Sequence, residues 1–214
     1  MAGLHLQDHL QEEGVMFQYI REPRKILATA AIAVCLAVPS LAQADGGYLG
    51  ADAVLRGTTL EYYFSGSESY TTQHLRLKAG YDFAQYYGVE MRLMNSGDDT
   101  YTDIYGTWKW STGNVVSLYF KPHYNFGDFA MYGLVGLSFM DTAYEAVAGP
   151  YTGVKDTDTL TTFDFGFGGQ YNFSPHFSLT GEVKLDVGSA DYPTILGSTD
   201  VYGSAVAIGV VYRF

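Results

Sequence analysis

The sequence predicts an all-β chain: an eight-stranded, antiparallel, up-and-down transmembrane β-barrel. Three observations predict it. The closing run 201–214, VYGSAVAIGVVYRF, alternates: Val206, Ile208, Val210, Tyr212 and Phe214 fall on one face, and Ala205, Ala207, Gly209, Val211 and Arg213 on the other. Successive side chains of a strand point to opposite faces, so one face is an apolar stripe ending on an aromatic and the other is small. A strand with lipid on one side and a crowded lumen on the other has this pattern. Seven earlier segments alternate in the same way. The connections between the eight run long, short, long, short, long, short, long, a meander with tight turns at one end and long loops at the other.

Composition agrees. Glycine (25) and tyrosine (19) are abundant, and glycine is poor in helix interiors. Beyond a short N-terminal apolar stretch there is no run approaching the ~20 residues that a membrane helix needs. A net charge of −11 argues against nucleic-acid binding, which requires a basic surface.

Residues 1–44 form an N-terminal extension and a cleavable secretory signal peptide. Arg21, Arg24 and Lys25 precede the apolar run ILATAAIAVCLAV (26–38), then Pro39-Ser40 and the small-residue site Ala42-Gln43-Ala44, the three parts of a signal peptide in order. Cleavage is expected after Ala44. Residues 1–15 carry Asp8, Glu12 and Glu13 where a signal peptide is basic, so Met16 is the better start. Cys35, the only cysteine, lies inside the apolar run and is not placed for lipidation. The barrel, residues 45–214, then holds no thiol for disulfide, metal or nucleophilic chemistry.

The segments follow in order. In 47–55, Leu49, Ala51, Ala53 and Leu55 alternate with Tyr48, Gly50 and Asp52. In 73–83, Leu75, Leu77, Ala79, Tyr81 and Phe83 alternate with His74, Arg76, Lys78 and Gly80, and a short turn at 84–86 leads to 87–94, where Tyr87, Val89, Met91 and Leu93 oppose Gly88, Glu90 and Arg92. In 115–126, Val116, Leu118, Phe120, Tyr124 and Phe126 oppose Ser117, Tyr119, Lys121, His123 and Asn125; Pro122 interrupts the apolar face, and a bulge is expected there. Gly127-Asp128 is a hairpin turn. In 129–140, Met131, Val135, Leu137 and Phe139 are taken as outward. In 159–173, Phe163, Phe165, Phe167, Tyr171 and Phe173 oppose Asp164, Gly166, Gly168, Gln170 and Asn172. After the turn 174–176, segment 177–187 sets Phe177, Leu179, Val183, Leu185 and Val187 against Ser178, Thr180, Glu182, Lys184 and Asp186. Polar stretches 56–72, 95–114, 141–158 and 188–200 read as the long loops.

A soluble eight-stranded barrel would turn the apolar face inward instead. The signal peptide, the cysteine-free barrel, the terminal aromatic and the aromatics at strand ends (Tyr81, Phe83, Tyr87, Tyr124, Phe126, Tyr171, Phe173, Phe177) favour the membrane orientation, with those rings as an interfacial girdle.

The runs GVEMRLMNSGDDT (88–100), YGLVGLSFMDT (132–142), FDFGFGGQYNFSPHFSLTGEVK (163–184) and AIGVVYRF (207–214) resemble the outer-membrane β-barrel ("porin family") proteins of Gram-negative bacteria, relatives of the outer-membrane protein A barrel and of opacity-type surface proteins. The resemblance covers essentially all of 45–214. It implies an integral outer-membrane barrel in contact with lipid and lipopolysaccharide, inserted by the barrel-assembly machinery through a C-terminal aromatic strand, which Ile208, Val210, Tyr212 and Phe214 match. It implies no common enzymatic activity and no cofactor.

The inward faces carry Asp52, Arg76, Lys78, Glu90, Arg92, Lys121, His123, Asp164, Glu182, Lys184, Asp186 and Arg213. An eight-stranded barrel is just wide enough for side chains to fill it, and unpaired buried charges are costly. The expectation is a lumen charge network of Arg76, Lys78, Glu90, Arg92, Lys121, Asp164, Glu182 and Lys184, with Lys78 beside Glu90 and Lys184 diagonal to Asp164. This makes the protein a structural or surface-interaction barrel. The alternatives are a narrow ion-conducting channel and a lipid A-modifying enzyme. The latter lacks support in sequence: His123 faces inward with Asn125 where such a motif needs serine, His74 reads as a polar rim residue, and His176 sits in a turn. Loop acids, including Asp98, Asp99, Asp103, Asp156 and Asp158, suit divalent-cation bridging to lipopolysaccharide phosphates. Trp108 and Trp110 share a face and suit an interfacial anchor or a surface-ligand site.

Overall fold

The protein is described by a computed structural model covering residues 46–62, 66–104, 106–192 and 197–214; the expected signal peptide and its cleavage site at Ala42 and Ala44 lie outside these residues. Nine strands follow one another: β1 (Gly47–Tyr62), β2 (Gly66–Ala84), β3 (Tyr87–Met94), β4 (Gly97–Asp103), β5 (Gly106–Phe126), β6 (Phe129–Ala148), β7 (Lys155–Asn172), β8 (Phe177–Tyr192) and β9 (Gly197–Arg213). Each pairs antiparallel with its neighbours in one ring, which β9 closes against β1 (Tyr48 opposite Arg213, Ala53 opposite Ile208). The ninth strand, β4, lies in a stretch read as loop and continues the expected third segment. β3 and β4 pair with β5 in a single register, Met94 opposite Val115 and Gly97 opposite Thr112. They are one stave interrupted at Asn95-Ser96, and the barrel has eight staves.

The interruption has a local cause. Asn95 N donates to Leu75 O (3.1 Å), but Leu75 N donates to the side-chain Oδ1 of Asn95 (2.7 Å). The main-chain carbonyl of Asn95 is turned to the His74 ring instead (2.9 Å). Beyond this point β4 splays from β2, and Asp99 Oδ2 reaches across to accept from Thr71 N (2.8 Å). Side chains thus replace the ladder along this seam.

The wall strands alternate as the sequence reads, with Met131, Val135 and Leu137 of β6 exposed on the outside; Val116 of β5, expected outward, is instead buried. The outer belt is aliphatic and aromatic. Along β8 it runs from Phe177 to Val187. Ten steps of about 3.3 Å at a tilt near 40° give a height of about 25 Å, the apolar band of an outer-membrane barrel. At the short-turn end the belt finishes in stacked and edge-on rings: Tyr86–Tyr124 (5.9 Å), Phe129–Tyr171 (4.8 Å), Phe173–Phe177 (6.2 Å) and Phe177–Tyr212 (5.1 Å). At the other end the outward positions turn polar, at Thr59, Thr71, Asp141, Thr161, Ser189 and Asp200.

Two expectations are corrected. The stretches read as long loops are mostly strand: hairpins project past the belt and turn at tips such as 149–154. Polarity there marks the end of lipid contact, while the inner face keeps a buried apolar cluster among threonines and acids. No bulge occurs at Pro122. The β5–β6 register is the same on both sides of it, Phe120 opposite Val135 and His123 opposite Tyr132. The Lys121–Leu134 and Pro122–Gly133 rungs are missing, and the proline ring lies against Gly133. The β5 irregularities fall instead at Thr107/Trp108 and Thr112/Val115.

Candidate functional site in the barrel lumen

The lumen has two tiers. The lower one, level with the lipid belt, is ionic, and inner glycines make room for it. Three tyrosines each lie over a glycine directly opposite on the next strand: Tyr48 over Gly80, Tyr132 over Gly168 and Tyr119 over Gly136. Asp52 and Asp186 are seated in the same way over Gly209 and Gly203 of β9. A Cβ at any of these glycines would collide with the group above it.

Seven charges form one alternating chain. Lys78 Nζ meets Asp52 Oδ1 (2.7 Å); Asp52 Oδ2 meets Arg76 Nη2 (2.7 Å); Arg76 Nη2 meets Glu182 Oε1 (2.8 Å). Glu182 takes Arg92 in a fork (2.6 and 2.9 Å), Arg92 Nε donates to Glu90 Oε1 (2.5 Å), and Glu90 ends on Lys121 (3.6 Å). A shorter chain runs Arg56–Asp186–Lys184–Asp164 at 2.6, 3.2 and 2.9 Å. The tyrosines brace both. Tyr48 donates to Glu90 (2.7 Å), Tyr132 to Glu182 (3.2 Å) and Tyr119 to Asp164 (2.5 Å). Ser138 and Thr162 also donate to Asp164. Lys121 lies over the Tyr48 and Tyr132 rings (4.3 and 4.8 Å) and Arg92 over Tyr119 (4.6 Å). All eleven charged groups are buried. Each has a partner, the condition under which buried charge is tolerable.

The upper tier is apolar. Leu60, Tyr70, Trp110, Val115, Met140, Tyr144, Leu160 and Val201 form one buried cluster with Trp108 packed against it. Tyr70 stacks on Trp110 (6.3 Å), and Trp108 on Tyr144 (5.6 Å). The hydroxyls of Tyr70 and Tyr144 both donate to Glu68 Oε2 (2.5 and 3.0 Å). Burial first, and then the bond to Glu68, push the Tyr70 phenol well above its ordinary pKa. At the short-turn mouth, Arg213 pairs with Asp82 (2.8 Å) beside an open polar cavity of about 760 Å³ lined in part by His123, Asn125, Gln170 and Asn172.

The eight residues expected in the lumen network, Arg76, Lys78, Glu90, Arg92, Lys121, Asp164, Glu182 and Lys184, are all buried inside the barrel. Lys184 meets Asp164 diagonally across the β7–β8 pair. Lys78 does not pair with Glu90: it lies opposite Gly50 and Arg92, and it turns to Asp52 and Thr180. His74 is not at a rim; it is buried in the lumen, bonded to Thr72 and Asn95. Trp108 and Trp110 do share a face, but it is the inner one, so neither anchors the lipid interface. Arg56 was missed. Extending the inner face of the first segment two positions beyond Val54 finds it. Ile208, Val210 and Tyr212 face outward, and Phe214 N donates to Gly47 O (3.1 Å) at the seam.

Residues 28–214 match the model of the outer membrane protein beta-barrel domain. The chain belongs to that family and is an integral protein of the bacterial outer membrane. Barrels of this class keep short turns on the periplasmic side and longer connections outside. Among solved structures it is similar to Neisserial surface protein A (TM-score 0.57, 14% identity, 79% of this chain and 98% of that one). It is also similar to Ail, the attachment invasion locus protein of Yersinia pestis (TM-score 0.51, 16% identity, 80% and 100%). A further Ail structure, in complex with the heparin analogue sucrose octasulfate, gives 0.50 at 16% identity (78% and 99%). At these identities the likeness is one of fold. No curated protein matches the chain by sequence.

Proposed function

We propose that this protein is a closed, non-conducting barrel with a structural or surface-interaction role, its lumen charges acting as a packed core. The observation that carries the reading is the filling of the lumen along its height, with braced ion pairs below and an apolar cluster above. A permeating ion would have to cross both, and the packed apolar cluster of the upper tier leaves it little but hydrocarbon to pass. Planar-bilayer recording of the refolded protein tests this: no conductance above background is expected, and reproducible channel openings would overturn it. The reading includes no lipid A chemistry, so lipid A acylation judged by mass spectrometry is the same with and without the protein.

The long-hairpin end supports a choice of partner. Its described cations outside the lumen, Lys109 and Lys155, are each paired, with Asp98 (2.8 Å) and Glu145 (3.7 Å), and acids outnumber them. This end meets lipopolysaccharide phosphates through divalent cations rather than through basic side chains, and it disfavours polyanions of the sucrose octasulfate kind. The closing strand, with Ile208, Val210, Tyr212 and Phe214, is the signal read by the barrel-assembly machinery, and residues 1–44 are removed on export.

A further inference from the structure

We infer that the long-hairpin mouth of the lumen docks a basic segment of another protein, with an arginine laid on Tyr151 and a second basic side chain paired with Glu68. The inference rests on the surface-interaction reading and names the partner's chemistry. Three rings form a ladder at this mouth. Tyr144 is buried in the apolar tier, Trp108 stacks on it (5.6 Å), and Tyr151 stacks on Trp108 (6.2 Å). Tyr151, the last ring, is 56% exposed, and Tyr101, directly opposite Trp108 on β4, is exposed as well. The tip that carries Tyr151 is tied by its own backbone. Gly153 N donates to Ala146 O (2.9 Å), Val154 N to Tyr151 O (3.1 Å) and Thr152 Oγ1 to Gly149 O (2.6 Å). A ring already held in place loses little freedom on binding, and tyrosine and tryptophan carry much of the energy at protein interfaces.

Charge selects the occupant. Glu68, Asp156 and Asp158 share the inner face with Tyr144 and Thr142. No cation of the barrel offsets them. Above the ionic tier the only lysines and arginines of 46–214 are Lys109 and Lys155, which alternate to the outer face and pair there with Asp98 and Glu145. Glu68 is half-buried, directly opposite the buried Leu60, so its charge is less screened than one in open water. The Tyr70 and Tyr144 hydroxyls both hold its Oε2, and Oε1 accepts from no described group. A guanidinium suits such a mouth, because it stacks on aromatic faces and pairs with carboxylates. One cationic group cannot reach both places: Glu68 lies at the hydroxyl end of Tyr144, and Tyr151 is two stacking steps away. The fit is a segment with at least two basic side chains. A divalent cation fits less well. Among the described residues no three histidine, cysteine or carboxylate side chains converge, and a hard cation needs several oxygen ligands rather than ring faces.

The test uses the full barrel refolded in detergent at low ionic strength, where charge pairing is least screened. The probes are three labelled eight-residue peptides that alternate glycine with arginine, lysine or glutamate, followed by fluorescence anisotropy. The arginine peptide is expected to bind about two- to fivefold more tightly than the lysine peptide, and the glutamate peptide not to bind. Tyr151→Ala is expected to remove the preference for arginine over lysine. Glu68→Gln is expected to weaken both basic peptides by about two- to fivefold. Asp200→Asn, which removes an exposed outward acid, is expected to leave both affinities unchanged. Heat-modifiable gel mobility checks that each variant is folded, and if one is not, the other decides. The inference is overturned by an arginine peptide that does not bind, by affinities that neither Tyr151→Ala nor Glu68→Gln changes, or by Glu68-dependent binding of calcium in place of the peptide. Channel openings in the bilayer recording refute the closed lumen and leave the peptide result to stand, so the two failures are distinguishable.

Discussion

Glu182→Gln is the most informative single change. Glu182 joins the two halves of the long ion chain, taking Arg92 in a fork at 2.6 and 2.9 Å, Arg76 at 2.8 Å and the Tyr132 hydroxyl at 3.2 Å. Glutamine keeps the volume but removes the charge, and its amide nitrogen points donors at a guanidinium. Two buried arginines are left short of an acceptor. Breaking a buried pair from one side costs about 3–5 kcal/mol. With a urea dependence of about 2–3 kcal/mol per M, the midpoint falls by about 1–2.5 M. The assay is urea unfolding of the refolded barrel, followed by the fluorescence of Trp108 and Trp110, which lie in the upper tier away from the mutation. Lys155→Ala is the control. Its pair with Glu145 is exposed (3.7 Å) and is worth less than about 1 kcal/mol. If Glu182→Gln shifts the midpoint no more than Lys155→Ala does, the lumen charges are solvated and the packed-core reading fails.

Other outcomes follow from the same geometry. Trp110→Ala removes the largest side chain of the apolar tier and should cost about 3–5 kcal/mol, read by thermal or urea unfolding, with the barrel still inserted. Gly168→Ala places a methyl under the Tyr132 ring; overpacking of this kind costs about 1–3 kcal/mol and should be seen as a lowered unfolding midpoint. Asn95→Ala removes the oxygen that stands in for a backbone acceptor at Leu75 N, so amide exchange should quicken in β2 near Leu75 while the β5–β6 pair is unchanged. Deleting Phe214 should lower the yield of inserted barrel in cells more than it lowers the stability of protein refolded in vitro, because its proposed role is in assembly.

The wall was legible because alternation has a period of two and lipid enforces it. Residues such as Leu179, Val183, Leu185 and Val187 have no alternative face, and their neighbours Thr180, Glu182, Lys184 and Asp186 must then point inward. The closing strand could be read at once for the same reason. The upper half was misread as loop because its outward positions, Thr59, Thr71, Asp141 and Ser189 among them, meet water and look like loop residues. The inner positions Leu60, Tyr70, Trp110 and Tyr144 kept the period, and following them would have recovered the hairpins and Arg56.

The sequence by itself determined which residues face lipid, which face the lumen and that the inward charges must pair, because these follow from strand geometry and the cost of buried charge. Only the tertiary structure decided the partners. Lys78 goes to Asp52 rather than Glu90, and Glu182 takes Arg76 and Arg92 from two other strands. Those choices depend on the stagger of eight staves around a closed ring and on where glycines let tyrosines lie flat. Neither is contained in the alternation of any one segment.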